Sequence, residues 1–230
     1  MKQLRTQGIV LSRTDYGEAD RIITVLTPDA GKLRLMARGV RKVKSKLAGG
    51  IELFSVSDIT YMPGRGEIGT LISARLSVHY GRIVERIERV QLGYELIKQL
   101  NKTTEDETDE HYFELLRQAF AALDDPEVDL ALIRAWFQAQ LLRLGGHAPN
   151  LQTDTQGHKL LPDKSYNFDF EAMTFTHHPQ ASFGAAHIKV LRLLFSGHAP
   201  QALRQVQGIA AAVPDVSPLV NAMASAYIRA

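Results

Sequence analysis

A chain of 230 residues with 45% hydrophobic and 23% charged side chains has a globular composition, which excludes wholesale disorder. It has no cysteine, which excludes disulfides, thiolate zinc sites and cysteine nucleophiles. The net charge of +2 hides a split: residues 1–80 carry 13 basic and 7 acidic side chains, whereas residues 81–230 carry 14 and 18. Such a split points to two units, one of which meets a polyanion.

The N-terminus, MKQLRTQGIVLSRTDYGE, alternates polar and apolar residues where a signal peptide would hold an apolar block. No apolar run approaches the roughly 20 residues of a membrane span. A soluble cytoplasmic protein is the expectation.

The first 80 residues read as strands. In TQGIVLSRT, Ile9 and Leu11 share one parity and Val10 takes the other. DRIITVL is a short apolar run, followed by the turn cluster Pro28, Asp29, Ala30 and Gly31. KLRLMARG alternates cleanly, with Leu33, Leu35 and Ala37 on one face and Lys32, Arg34, Met36 and Arg38 on the other. IELFSVSDITYM is a further strand, PGRGE is a turn, and IGTLISARLSVHY is the fifth strand. Five strands with glycine-bearing turns predict a small barrel or sandwich, of which the OB-fold is one form.

After Tyr80 the periodicity becomes helical. In GRIVERIERVQLGYELIKQL, Ile83, Ile87, Val90, Tyr94 and Ile97 recur at three- and four-residue steps, opposite Arg82, Glu85, Arg86, Glu88 and Arg89. NKTTEDETDE is an acidic turn and the start of a second helix, HYFELLRQAFAALDD, which Pro126 stops. EVDLALIRAWFQAQLLRL is a third, ended by Gly145 and Gly146. An irregular insertion follows at about 146–182. FGAAHIKVLRLLF is helical, and PQALRQVQGIAAAV and VSPLVNAMASAYIRA close the chain as two further helices. The expected organisation is α+β, with a barrel at 1–80 and an all-helical domain at 81–230.

The segment LRLMARGVRKVKSKLAGG concentrates charge. Arg34 and Arg38 share the outer face of a strand with Lys32, and Arg41, Lys42, Lys44 and Lys46 follow with no acid among them. A continuous positive patch matches phosphates, whose neutralisation releases counterions and makes affinity fall with salt. No base-reading helix accompanies it, so little sequence specificity is expected. Arg65, in the PGRGE turn, is a weaker addition. Tyr16, Phe54 and Tyr61 would stack bases if exposed, although strand parity assigns each to the core.

Other chemistry finds little support. There is no Walker A run, no HExxH and no GxSxG, and the GxG of PGRGEIG does not open a helix. His177 and His178 with Asp169 and Glu171 could be read as a metal nuclease site, but carboxylates at that spacing are ordinary on surfaces. Nothing calls for a cofactor.

The blocks GIVL, DYGEADRI, TPDAGKLRLMARGVRKVKSKLAGGIELF and GRGE together resemble the N-terminal domain of the bacterial recombination mediator family RecO. The resemblance is dense over residues 5–80 and thinner through YELIKQL and HYFELLRQAFAAL. It implies an N-terminal OB-fold and a C-terminal helical domain. It also implies binding of single- and double-stranded DNA, annealing of complementary strands, and loading of RecA onto strands coated by single-stranded DNA-binding protein. The implied partners are RecR, the C-terminal tail of the single-stranded DNA-binding protein and, in some members, RecF. No membrane is implied, and the cytoplasmic protein would associate with the nucleoid. In such a protein Lys32, Arg34, Arg38, Arg41, Lys42, Lys44 and Lys46 are the expected DNA contacts, with Arg65 beside them. An RNA- or ribosome-associated OB module is the alternative.

One departure stands out. Many members carry a four-cysteine zinc site where this chain reads LQTDTQGHKLLPDKSYNFDFEAMTFTHHP. Asp154 and Gly157 stand about where a CxxC pair would, and His158, His177 and His178 lie near. The expectation is a zinc-less branch held by packing of Leu151, Leu160, Phe168, Phe170 and Phe175. In AAHIKVLRLLF, Ile188, Leu191 and Phe195 beside Lys189 and Arg192 offer an apolar groove with a basic rim, which the acidic, hydrophobic-ended tail of the single-stranded DNA-binding protein would need. The other reading is an amphipathic core helix.

Overall fold

A computed structural model describes residues 2–64, 66–104 and 109–227. It packs as two compact units, Met1–Asp125 and Pro126–Ala230.

The first unit is built on a closed five-stranded barrel. Its strands are β1 (Leu4–Tyr16), β2 (Asp20–Leu26), β3 (Lys32–Ala37), β4 (Ser55–Met62) and β5 (Ile68–His79), in the order β1-β2-β3-β5-β4. All neighbours are antiparallel except β3 and β5, which close the barrel in parallel. The alternation read in β3 is realised, with Leu35 and Ala37 buried while Arg34 is exposed. Val10, Ile23, Val25, Leu35, Ile59 and Leu71 fill the interior. Val40 and Ile51, from the connection between β3 and β4, plug one end. Gly50 lies on that connection against β5, where any Cβ would meet the Ala74 carbonyl oxygen at 2.4 Å, so the backbone itself seals the barrel.

Two helices complete this unit: α1 (Ile87–Thr103) and α2 (Glu110–Asp124). The buried face of α1 matches the sequence spacing only in part: Ile83 just before it and Ile97 within it are buried as predicted. Leu92, Gly93, Leu96 and Leu100 are buried, whereas Ile87 and Tyr94 are 68% and 50% exposed. The reason is Phe54, whose ring packs on Gly93 and contacts Tyr94 and Phe120 edge-to-face at 5.5 Å. Arg89, expected on the solvent face, is buried, and its Nη1 donates to the carbonyl oxygens of Leu123 (2.7 Å) and Asp125 (3.0 Å). It satisfies acceptors that the end of α2 leaves unpaired. Part of the acidic turn read before α2, residues 105–108, lies outside the described residues.

The second unit is centred on α3 (Leu130–Leu144), capped by Asp129, whose carboxylate accepts from the N–H groups of Ala131 and Leu132. This helix is apolar around most of its circumference and is correspondingly buried. It packs with α4 (Ala185–Leu194), the short α5 (Pro200–Leu203) and α6 (Ile209–Tyr227). Gln140 donates to the carbonyl oxygens of Leu194 and Ser196, and the Trp136 indole donates to that of His198.

The two closing helices of the sequence reading are replaced by the short α5 and one long helix, because α6 runs through Pro214 and Pro218. Both prolines are exposed and four residues apart, so the carbonyls they leave unpaired lie on the solvent side, where water can hydrate them. By length and composition α6 would suffice to cross a bilayer, although the sequence shows no comparably long unbroken apolar run. Here it buries Val213, Val216, Val220 and Met223 against its neighbours.

The insertion read as irregular carries a two-stranded sheet, β6 (Tyr166–Asp169) and β7 (Thr174–His177). Its buried side chains include Leu151, Tyr166, Thr174 and Phe175, while Phe170 is exposed and touches Phe168 edge-to-face.

Candidate nucleic-acid interface

Register fixes which side chains share the outer face of β1, β2 and β3. Directly opposed residues in an antiparallel pair point to the same side. Ser12, Thr14 and Tyr16 oppose Thr24, Ile22 and Asp20, and Thr24 and Ile22 oppose Arg34 and Met36. The other side carries Ile23, Leu35 and Ala37, the barrel core. The outer face therefore presents half-buried Ile22 and Met36 between exposed Tyr16 and exposed Arg34.

Arg38 follows the last residue of β3, and the loop to β4 is tied to the β1–β2 turn. The Gly39 N–H donates to the Asp20 carboxylate at 2.7 Å, and the Arg41 N–H donates to the Ala19 carbonyl at 2.9 Å. Lys42 and Ser45 N–H groups close short turns onto Gly39 and Lys42. Buried Val40 and half-buried Leu47 root the two ends in the barrel core. Arg38, Lys42, Lys44 and Lys46 are exposed on this frame, and none has a carboxylate partner among the described residues. Val43, at the tip between two lysines, is fully exposed.

The other basic residues are placed differently. Arg41 lies 3.6 Å from the Asp15 carboxylate and donates to the Gly17 carbonyl at 3.4 Å. Asp15 also accepts from Arg21 at 2.7 Å, and that bond, joined by the charges of Arg41 and Arg13, holds its carboxyl below the usual range. Arg34 pairs with Glu67 at 3.2 Å, both in solvent. It borders a cleft of about 260 Å³ lined also by Leu35, Tyr61, Gly64 and Glu67. Lys32 has the outward parity of Arg34, but its ammonium turns to α1 and donates to the carbonyl oxygens of Asn101 and Thr104. Arg65 lies outside the described residues. Phe54 and Tyr61 are buried at 3% and 6% exposure, and Tyr16 is not, at 56%.

Sequence reasoning missed the acids that position these cations. Asp15 and Asp20 flank the turn, and the signal was their place in DYGEAD, one strand away from the basic run.

The proposed helical groove does not form as an open surface. Ile188 and Leu191 are buried at 3% and 0% exposure in the second unit, Phe195 is half-buried, and Arg192 donates to the Leu151 carbonyl at 2.8 Å. Lys189 is exposed. The amphipathic spacing is that of a core helix.

A zinc site does not fit the insertion. The chain offers no thiolate, and the Asp154 carboxylate is occupied by the N–H groups of Gln156 and His158, each at 2.9 Å. His177 Nδ1 meets the Ser165 carbonyl, and Asp169 accepts from the N–H groups of Glu171 and Ala172. Among the described residues no three His, Asp or Glu side chains converge.

A barrel of this strand order, closed in parallel by its third and fifth strands, is an OB-fold, here followed by a mainly helical second unit. Family comparison agrees in detail. Recombination protein O N terminal matches residues 1–80, and Recombination protein O C terminal matches residues 90–210. The chain belongs to the Recombination protein O family.

Curated relatives include the DNA repair protein RecO of Rubrobacter xylanophilus, 34% identical over 66% of this chain and 60% of its own length. That of Dehalococcoides mccartyi is 30% identical over 70% and 64%, and that of Bacillus cytotoxicus 29% identical over 83% and 79%. The chain thus spans less than two thirds of the first two relatives' length.

Proposed function

We propose that the protein is a DNA-repair and recombination mediator. It binds single- and double-stranded DNA through the barrel, anneals complementary strands, and helps load RecA onto strands coated by single-stranded DNA-binding protein. The observation that carries this reading is the loop presenting Arg38, Lys42, Lys44 and Lys46 in solvent with no carboxylate partner among the described residues. Arg34 and Arg41 border it, each shared with an exposed acid that a phosphate can displace. Annealing requires no catalytic residue, because neutralising the repulsion between two phosphate backbones speeds their encounter. RecR, the tail of the single-stranded DNA-binding protein and RecF are the partners this role calls for.

The test is annealing of complementary DNA strands pre-coated with single-stranded DNA-binding protein, run beside RNA strands of the same sequence. Faster annealing of the coated DNA supports the reading. A clear RNA preference, or no acceleration, rejects it.

A further inference from the structure

We propose that Tyr16 is a base-stacking residue that gives the cationic face a preference for single strands over duplex. This inference rests on the DNA-binding reading and names the contact that separates unpaired from paired substrates.

A local irregularity in β1 exposes the ring. Val10 faces the barrel core. Strict alternation from Val10 would send Ser12, Thr14 and Tyr16 inward as well. The register slips between Val10 and Ser12, so that Arg13 opposes core Ile23 and Ser12 opposes outward Thr24. This is a β-bulge, a device that re-aims the side chains beyond it. Tyr16 emerges on the outer face, opposite Asp20, and makes no ring contact among the described residues.

Its position suits the role. Asp20, its register partner, accepts from Gly39 beside Arg38, and Gly17, its chain neighbour, accepts from Arg41. The ring therefore stands at the root of the cationic loop, on the face shared with Met36 and Arg34. Bases within a duplex are stacked on one another and offer their faces to no side chain. An unpaired base offers its π-face, and stacking tolerates any sequence because every base has one. The cations act on phosphates of either form, so the ring alone discriminates.

The experiment measures binding of the full chain to a labelled oligothymidylate and to a blunt duplex of equal length. Tyr16→Ala should weaken oligothymidylate binding roughly tenfold and leave duplex binding and both salt slopes unchanged, while Tyr16→Phe binds as the unaltered chain does. Photocrosslinking of the unaltered chain to a 5-iodouracil strand should modify Tyr16, a readout independent of any variant's folding. Equal losses on both substrates, or no loss on either with crosslinks elsewhere, overturn the proposal while leaving the DNA-binding reading intact. If the unaltered chain binds neither substrate, that reading fails and the proposal falls with it.

Discussion

The ammonium of Lys32 lies 2.6 Å from the carbonyl oxygen of Thr104 and 3.1 Å from that of Asn101, so β3 is pinned to the C-terminus of α1. Helix C-termini leave carbonyls unpaired and carry the negative end of the helix dipole, which a cation satisfies on both counts. Lys32→Met should therefore cost about 1–3 kcal/mol of stability. DNA affinity and its salt dependence should change little. Urea denaturation and a salt-dependent DNA titration check the two halves of this expectation.

Lys42 and Lys44 should behave in the opposite way. Replacing Arg38, Lys42 and Lys44 together with Ala should flatten the plot of log affinity against log salt by about 0.7–0.9 for each lost phosphate contact. Weakening should be similar across sequences. Stability should stay within about 0.5 kcal/mol per exposed substitution. An unchanged slope would show that these cations do not meet phosphates.

Asp15 is expected to restrain DNA binding. Its carboxylate holds Arg21 and stands beside Arg41. Asp15→Asn should free Arg41 and raise affinity roughly twofold to fivefold at low salt, with the gain fading as salt rises. Because the Arg21 hydrogen bond keeps this carboxyl below its ordinary value of 3.8, the unaltered chain stays charged there at any pH used for annealing. The variant alone should show the gain near neutrality, as paired titrations at pH 7 would reveal.

Gly93 carries the contact between α1 and Phe54. A Cβ there would meet Phe54 Cε1 at 2.5 Å and Cζ at 3.0 Å. Phe54 itself sits at φ 55°, a left-handed conformation that leaves its ring little room to retreat. Gly93→Ala gains roughly 1 kcal/mol of helix propensity but overpacks this contact by about 1–3 kcal/mol. The expected outcome is net destabilisation in thermal or chemical melts. Phe54→Leu, combined with it, should recover part of the loss.

These residues also show which parts of the protein were legible in the sequence. Strand alternation exposed the barrel and the outward Arg34, because a period of two has only two faces to choose between. The helical face of α1 was harder. Ile87 and Tyr94 look like core residues, but Gly93, with no hydrophobic side chain to register, marks where the aromatic neighbour packs. Lys32 and Arg89 look like surface charge, and their hydrogen-bond partners lie 34 to 72 residues away. The bulge that turns Tyr16 outward leaves no compositional trace. Pro214 reads as a break between two helices because the sequence does not reveal that it faces solvent.

The Asp154 turn should titrate. Burial pushes its carboxyl up, but the N–H groups of His158 and Gln156 outweigh burial and hold it below 3.8. A carboxyl lowered in the folded state contributes stability that is complete above the unfolded value and is lost as pH falls through the folded one. The amide resonances of Gln156 and His158 should therefore move at a lower pH than those beside an ordinary exposed aspartate. Asp154→Asn, which keeps the carbonyl acceptor, should abolish that movement.

The parallel pairing of β3 with β5 has a mechanical consequence. Among the described residues three rungs join them, Arg34 to Ile68, Leu35 to Gly69 and Met36 to Thr70, whereas seven join β1 to β2. The barrel is a hoop fastened by its shortest clasp, and Arg34 stands on that clasp. Opening free energy follows the number of bonds broken, so slow amide exchange should fail first along this edge. The hairpin that presents Tyr16 would stay laced throughout. One wall of the proposed DNA-binding surface can thus loosen while the other keeps its shape.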